Sequence, residues 1–210
     1  IPEASALLEK AASDPHGRVR MTATVTASYL PRRVGLDVLE AVEQQEINKL
    51  YNQTYDFARE VLNRMPAELG AKEKKVVQKS GIISDTKGLT TIRIATLVEK
   101  MKYDINEFTV KPGKKVKIIF ANPDFMPHNL VVTKPNKADS VAQLALTLGA
   151  QGFAMAFVPE STDVLWASTL VDHGKEAEMT FTAPSAKDKY PNVCTFPGHH
   201  ILMRGVMKVR

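Results

Sequence analysis

Cys194 is the single cysteine among 210 residues, and the residues around it carry ligand chemistry. His199 follows five residues later and Met203 four after that, a C-x4-H-x3-M spacing within NVCTFPGHHILMRG. Upstream, NPDFMPHNLVV places His128 at the opening of a β-type run. Together these positions offer one thiolate, two imidazoles and one thioether. Soft sulfur donors favour Cu(I) and imidazole also suits Cu(II), so two His, one Cys and a weak axial Met suit one copper ion that carries one electron at a time. A bound cation lowers the thiol pKa enough to supply the thiolate. The bland alternative is that a lone Cys is a small buried hydrophobe and Met is core filler. With 5 His and 8 Met in the chain, roughly 0.001 of cysteines would meet both at those offsets by chance. One cysteine also excludes an internal disulfide and a multi-cysteine zinc or iron–sulfur site within one chain.

Two different periodicities must position these residues. The first 65 residues read as helix: Ser5 to Ala12, Arg18 to Leu30, Val34 to Gln44 and Ile47 to Met65 carry apolar residues at three- and four-residue spacing. The breaks hold Pro15, Gly17 and Pro31. Paired amphipathic helices of this kind suggest a helical-repeat segment. The turn residues Asp14, Pro15, Val19 and Arg20 resemble a HEAT repeat, with a generic helical hairpin pair as the alternative. Two helical pairs make a thin core and the chain opens on Ile1, so a longer parent protein is expected. Residues 66–90 lose the helical period, gain Lys, Gly and Ser, and read as a linker. From residue 91 the period becomes two, in short runs at 91–97, 108–110, 116–120, 129–132, 164–170, 177–181 and 206–209. One helix interrupts them, Lys137 to Leu148. The expected class is α+β in two parts: a helical segment, then an all-β Greek-key sandwich with one inserted helix.

Residues 91–210 resemble the cupredoxins, and azurin-like members above all. CTFPGHHILMRG matches the azurin copper loop nearly residue for residue, and MPHN matches the family's first-histidine segment. The resemblance implies that His128, Cys194, His199 and Met203 ligate one copper ion per chain, and that Asn129 hydrogen-bonds across to Thr195. Three departures stand out. Pro127 occupies the place of azurin's Gly, so only a weak axial contact from its carbonyl is expected. The azurin disulfide has no counterpart, and Leu130 replaces a buried Trp. In the resembled family the loop histidine reaches an apolar surface patch, here expected to comprise Met126, Phe196, Pro197 and Ile201 around His199. Leu202 is expected to pack into the barrel end. His200 is expected to face solvent, with His16 and His173 as solvated turn residues.

The resulting expectation is electron transfer through Cu(II)/Cu(I) with a redox protein such as a cytochrome or dehydrogenase, without chemistry on a substrate. One alternative is an electron-accepting domain of a larger dehydrogenase-like enzyme. A weaker one is copper storage or delivery. Copper oxidases and nitrite reductases route electrons through Cys-His, whereas Thr195 follows Cys194 here. The 28 basic residues against 23 acidic ones give a net charge of +5 with no dense basic run, so nucleic acid is not suggested. No apolar run reaches the ~18 residues of a membrane-spanning helix. The resemblance implies a periplasmic or otherwise extracytoplasmic bacterial setting.

Overall fold

The computed structural model describes residues 2–45, 49–65, 80–86 and 88–210. The chain divides into two compact units, Ile1–Lys72 and Glu73–Arg210.

The first unit holds four helices: α1 (Pro2–Ala12), α2 (Gly17–Ala27), α3 (Arg32–Glu43) and α4 (Lys49–Arg64). The expected four helices are present with ends shifted by up to three residues in either direction, while residues 46–48 lie outside the described set. Burial follows the helical stripe, with Val38, Leu39 and Val42 of α3 and Ala58, Val61 and Leu62 of α4 removed from water. The turn before α2 is tied by its own residues. Arg20 donates to the carbonyls of Asp14 and Pro15 at 2.7 and 3.0 Å, and His16 Nδ1 accepts from the Arg18 N–H at the helix start.

The second unit is a β-sandwich of two five-stranded sheets. One sheet runs β1 (Gly81–Thr86), β2 (Leu89–Leu97), β5 (Lys115–Asn122) and β8 (Lys175–Thr182), with β3 (Lys102–Tyr103) also paired to β2. The other runs β4 (Glu107–Val110), β10 (Arg204–Val209), β9 (Lys189–Val193), β6 (Val131–Thr133) and β7 (Val164–Ala167). Parallel pairing occurs between β2 and β5 and between β4 and β10; the other pairs are antiparallel. Alternation decides the core face: Val116, Ile118 and Phe120 of β5 are buried, between Lys115, Lys117 and Ile119, which are more exposed. The inserted helix α5 (Ala138–Leu146) packs Ala138 and Val141 against Val131 of β6 and Val193 of β9. Trp166 of β7 stacks on Phe181 of β8 with centroids 4.2 Å apart, joining one sheet's edge to the other's.

Two features depart from the expected boundaries. Gly81–Thr86, read as linker, pairs with Leu89–Arg93, so the sheet begins before residue 91. As an edge strand exposing both Ile82 and Ile83, β1 lacks the alternation that marks a half-buried strand. The remainder of the expected linker, 66–79 and 87, lies outside the described residues. Strand β9 escaped the periodicity reading because Pro191 interrupts it. The proline is tolerated because β6 pairs only with Asn192 and Val193.

Candidate metal centre

The three donor residues arrive from two loops at one end of the sandwich. His128 lies between β5 and β6, where its N–H and C=O exchange hydrogen bonds with Val171 at 3.0 and 2.8 Å. Cys194 follows β9 and Met203 precedes β10, and the Cys194 N–H donates to the Met203 carbonyl at 3.0 Å. The antiparallel β9–β10 pair therefore closes the 194–203 loop at its base. Inside the loop Gly198 adopts φ +83°, a left-handed turn favouring glycine. A single 3-10 turn, His199–Ile201, then folds the His199 ring back over the cysteine.

His128, Cys194, His199 and Met203 are all fully buried. Cys194 Sγ lies 3.8 Å from His128 Nδ1 and 3.7 Å from His199 Nδ1, and the two Nδ1 atoms are 3.1 Å apart. The point equidistant from these atoms is about 2 Å from each, the length of a metal–nitrogen bond. Three buried donor atoms converging at this radius fit one soft or borderline metal ion, and they form the metal-type cluster found among the described residues. His199 sits between the rings of His128 and Phe196, with centroids 4.8 Å from each. Its Nε2 is buried without a hydrogen-bond partner among the described residues.

Protonation behaviour supports the same use. Burial alone would raise the Cys194 thiol, but hydrogen bonds and charge from His128 and His199 bring it down to about 5. Burial alone would lower His128, but Asp124 and Cys194 raise it to about 9. The pair thus holds a thiolate beside an imidazolium near neutrality, with a proton where a cation can sit.

Asp124 was not singled out by the sequence reading. Its Oδ2 lies 2.9 Å from His128 Nε2, while Oδ1 accepts from the Glu99 N–H at 2.9 Å. Burial would raise this carboxyl, but the bonds from His128 and the Glu99 backbone hold it below its ordinary range. The loop carrying Asp124 is braced by Asn122, whose amide donates to the Met126 and Val171 carbonyls at 2.8 Å each. Asn122 Oδ1 accepts from Thr96 Oγ1 and from the Asp124 N–H. An acidic residue four before a ligand-type histidine, in a Pro-flanked turn, was the available signal.

A second network joins the loops. Asn129 Nδ2 donates to Thr195 Oγ1 at 2.8 Å, and Asn129 Oδ1 accepts from the Thr195 N–H at 2.8 Å. Asn129 also donates to the Ala156 carbonyl at 2.6 Å, and Thr195 Oγ1 donates to that of Phe157 at 2.7 Å. Those carbonyls are aimed by two successive left-handed residues, Ala156 at φ +53° and Phe157 at φ +55°. The conformation is unfavourable by about 1–2 kcal/mol per residue, which the shared hydrogen bonds offset. Gly152 makes room for this turn, since a Cβ there would come within 2.2 Å of the Phe157 ring. Tyr103 adds a hydrogen bond from its hydroxyl to the Asn129 carbonyl at 2.8 Å. Neither the Ala156–Phe157 turn nor Tyr103 could be tied to the site by spacing, because both reach it only through the fold.

Several expectations need correction. Phe196 is 1% exposed and packs edge-on against Phe157, so it belongs to the interior and not to a surface patch. His199 does not emerge at the surface, because the 3-10 turn tucks its ring inward. The same turn leaves Ile201 and Leu202 outside at 68% and 58% exposure, so Leu202 does not pack into the barrel end. Met126 and Pro197 are half-buried, and Pro127 is buried beside His128. His200 is buried, not solvent-facing: Arg204 binds its carbonyl and reaches Asp139 of α5. His173 is half-buried, with Nδ1 3.1 Å from the Asp124 carbonyl and its ring stacked on Phe125. His16 is exposed as expected.

The paired sheets and this donor set define a small copper-protein domain, and comparison with known proteins places it. Residues 91–210 match the model for copper binding proteins of the plastocyanin/azurin family. The chain belongs to that family and is, in that part, a copper-binding protein. Auracyanin-A of Chloroflexus aurantiacus is 34% identical over 124 residues, covering 58% of this chain and 75% of that protein. Azurin of Pseudomonas aeruginosa is 25% identical over 120 residues, covering 53% and 92%. Among solved structures, auracyanin A, a "blue" copper protein, superposes with a TM-score of 0.54 at 33% identity, over 59% of this chain and all of that one. Reduced auracyanin from Roseiflexus castenholzii gives 0.53 at 34% identity, over 57% and 96%.

Proposed function

We propose that His128, Cys194 and His199, with Met203 as a weaker fourth ligand, would hold one copper ion, and that the chain passes single electrons to or from a redox protein partner. The convergence of three buried donor atoms about a point roughly 2 Å from each carries this reading. When bound, the copper supplies a one-electron Cu(II)/Cu(I) couple. Cys194 presents its sulfur as thiolate because two imidazoles face it. His128 offers Nδ1 because its Nε2 is engaged by Asp124. Asn129 and Thr195 hold the two ligand loops in fixed register, so the donor atoms keep their spacing when charge changes. Phe196 and Phe157 exclude water from the His199 side. Pro127 is buried next to His128, and its carbonyl would add at most a weak contact to a bound copper.

Electron exchange is assigned to the outer side of the His199 loop, where Ile201 and Leu202 are exposed and Pro197 half-buried, with half-buried Met126 of the His128 loop, apolar residues suited to a small, transient redox interface. A cytochrome or dehydrogenase in an extracytoplasmic compartment is the class of partner this fits. No helix among the described residues is long and apolar enough to cross a membrane. Full burial of every donor residue favours retention over copper delivery. We read the helical unit, with Arg20 clamping the Asp14–Pro15 turn, as a HEAT-like module in the same chain as the carrier domain.

Visible spectroscopy and voltammetry of the copper-loaded chain test the reading. An intense thiolate-to-copper band that disappears in Cys194→Ser, with a reversible one-electron couple, is the expected result. A pale Cu(II) complex without that band would overturn it.

A further inference from the structure

The Asp124–His128 contact is a built arrangement with no role in the loop's own closure. Asp124 is 4% exposed, and both carboxylate oxygens are used, one by the Glu99 backbone and one by His128 Nε2. Its backbone is fixed as well. The N–H donates to Asn122 Oδ1 at 3.0 Å and the carbonyl receives His173 Nδ1 at 3.1 Å, while His173 stacks on Phe125. Asn122 and Thr96, at the ends of β5 and β2, tie this turn to the sheet. The carboxylate is therefore held in place by the sandwich and aimed at the far nitrogen of a metal-facing imidazole. A carboxylate in that position fixes the ring's tautomer and orientation and increases the electron donation of the other nitrogen. Greater donation favours the more highly charged metal state, and a full negative charge one imidazole away acts in the same direction.

We propose that Asp124 is a positioning residue for His128 that orients its ring toward the metal and biases the centre toward Cu(II), lowering the reduction potential. This rests on the copper reading above, and the test separates the two. In the metal-free 210-residue chain, nuclear magnetic resonance should show a slowly exchanging His128 Nε2–H that is lost in Asp124→Ala. In the copper-loaded chain, Asp124→Asn removes the charge and keeps one acceptor oxygen for His128 Nε2, giving up the bond from the Glu99 N–H. It should retain the intense visible band and raise the potential by about 60 mV, the equivalent of a tenfold loss of preference for Cu(II) over Cu(I) in a one-electron couple. Asp124→Glu should return the potential toward the parent value.

A fast-exchanging Nε2–H in the parent chain would overturn the proposal. So would an Asp124→Asn protein with the visible band intact and an unchanged potential. Should the Asn variant fail to fold, the exchange measurement on the parent chain still decides whether Asp124 holds the ring. A parent chain lacking the visible band but showing the protected Nε2–H would sink the copper reading and leave the Asp124–His128 contact standing.

Discussion

Replacing Asn129 by Ala tests whether the two ligand loops are locked by one side chain. Asn129 is fully buried and its side chain makes three hydrogen bonds, two with Thr195 and one with the Ala156 carbonyl. Truncation strands the Thr195 N–H and the Ala156 carbonyl, whereas Thr195 Oγ1 keeps its bond to Phe157. The buried Thr195 N–H orphan costs about 1–3 kcal/mol, while the half-buried Ala156 carbonyl can turn to water, giving a loss of about 1–3 kcal/mol. Against a typical total of about 5–15 kcal/mol, this is a large fraction. At roughly 3 °C per kcal/mol for a unit of this size, the melting temperature falls by about 3–9 °C. Trp166 is the chain's single tryptophan and stacks within the β-sandwich, so its fluorescence follows this unit's unfolding without a signal from the helices. Guanidinium denaturation of the metal-free chain, read at Trp166, therefore measures the loss without involving copper. Thr195→Val, alone and combined with Asn129→Ala, should show non-additive losses, as expected for partners in one network. A loss below about 1 kcal/mol for Asn129→Ala, or strict additivity in the double variant, would refute the locking argument.

Three further outcomes follow from particular contacts. In Gly152→Ala the new methyl meets the Phe157 ring, and overpacking of this kind should cost about 1–3 kcal/mol in the same denaturation experiment; an unchanged midpoint would show that the 152–157 turn is not constrained as described. At pH 7 the metal-free site holds thiolate and imidazolium, because Cys194 titrates near 5 and His128 near 9. Copper binding should then expel one proton from this pair, falling to none above pH 9 and rising toward two below pH 5, so uptake weakens with acid. Calorimetric titration in buffers of different ionisation enthalpy measures the count, and zero release at pH 7 would contradict the assignment. Finally, Ile201→Lys should slow electron exchange with a protein partner while leaving the visible band and the Trp166 unfolding midpoint unchanged; unaltered exchange would remove the exposed 201–202 face from the docking surface.

Much of the centre was readable from spacing because its parts are local. Cys194, His199 and Met203 share one ten-residue loop, and a loop closed by two antiparallel strands brings such residues together whatever surrounds it. His128 and Asn129 were readable as a motif at a strand opening, and the Asn129–Thr195 bond lies where the resemblance implied. The β-runs with clear alternation, such as 116–120, and the amphipathic α3 and α4 were legible for the same reason: one face meets the core and the sequence repeats with the element's period. Strands β1 and β9 were hidden because an exposed edge and an internal proline remove that period.

The sequence by itself determined the donor types, their order along the chain and the two periodicities that divide it, since these are properties of neighbouring residues. Tertiary structure decided which groups face the metal-binding point and which are covered. The 3-10 turn after Gly198 sends His199 inward and leaves Leu202 outside, and Arg204 draws in His200. Asp124 became part of the centre only when β2 and β5 placed Thr96 and Asn122 beneath it. Such contacts form between segments far apart in the chain, so no local pattern encodes them. Their geometry exists only after the sheets have packed.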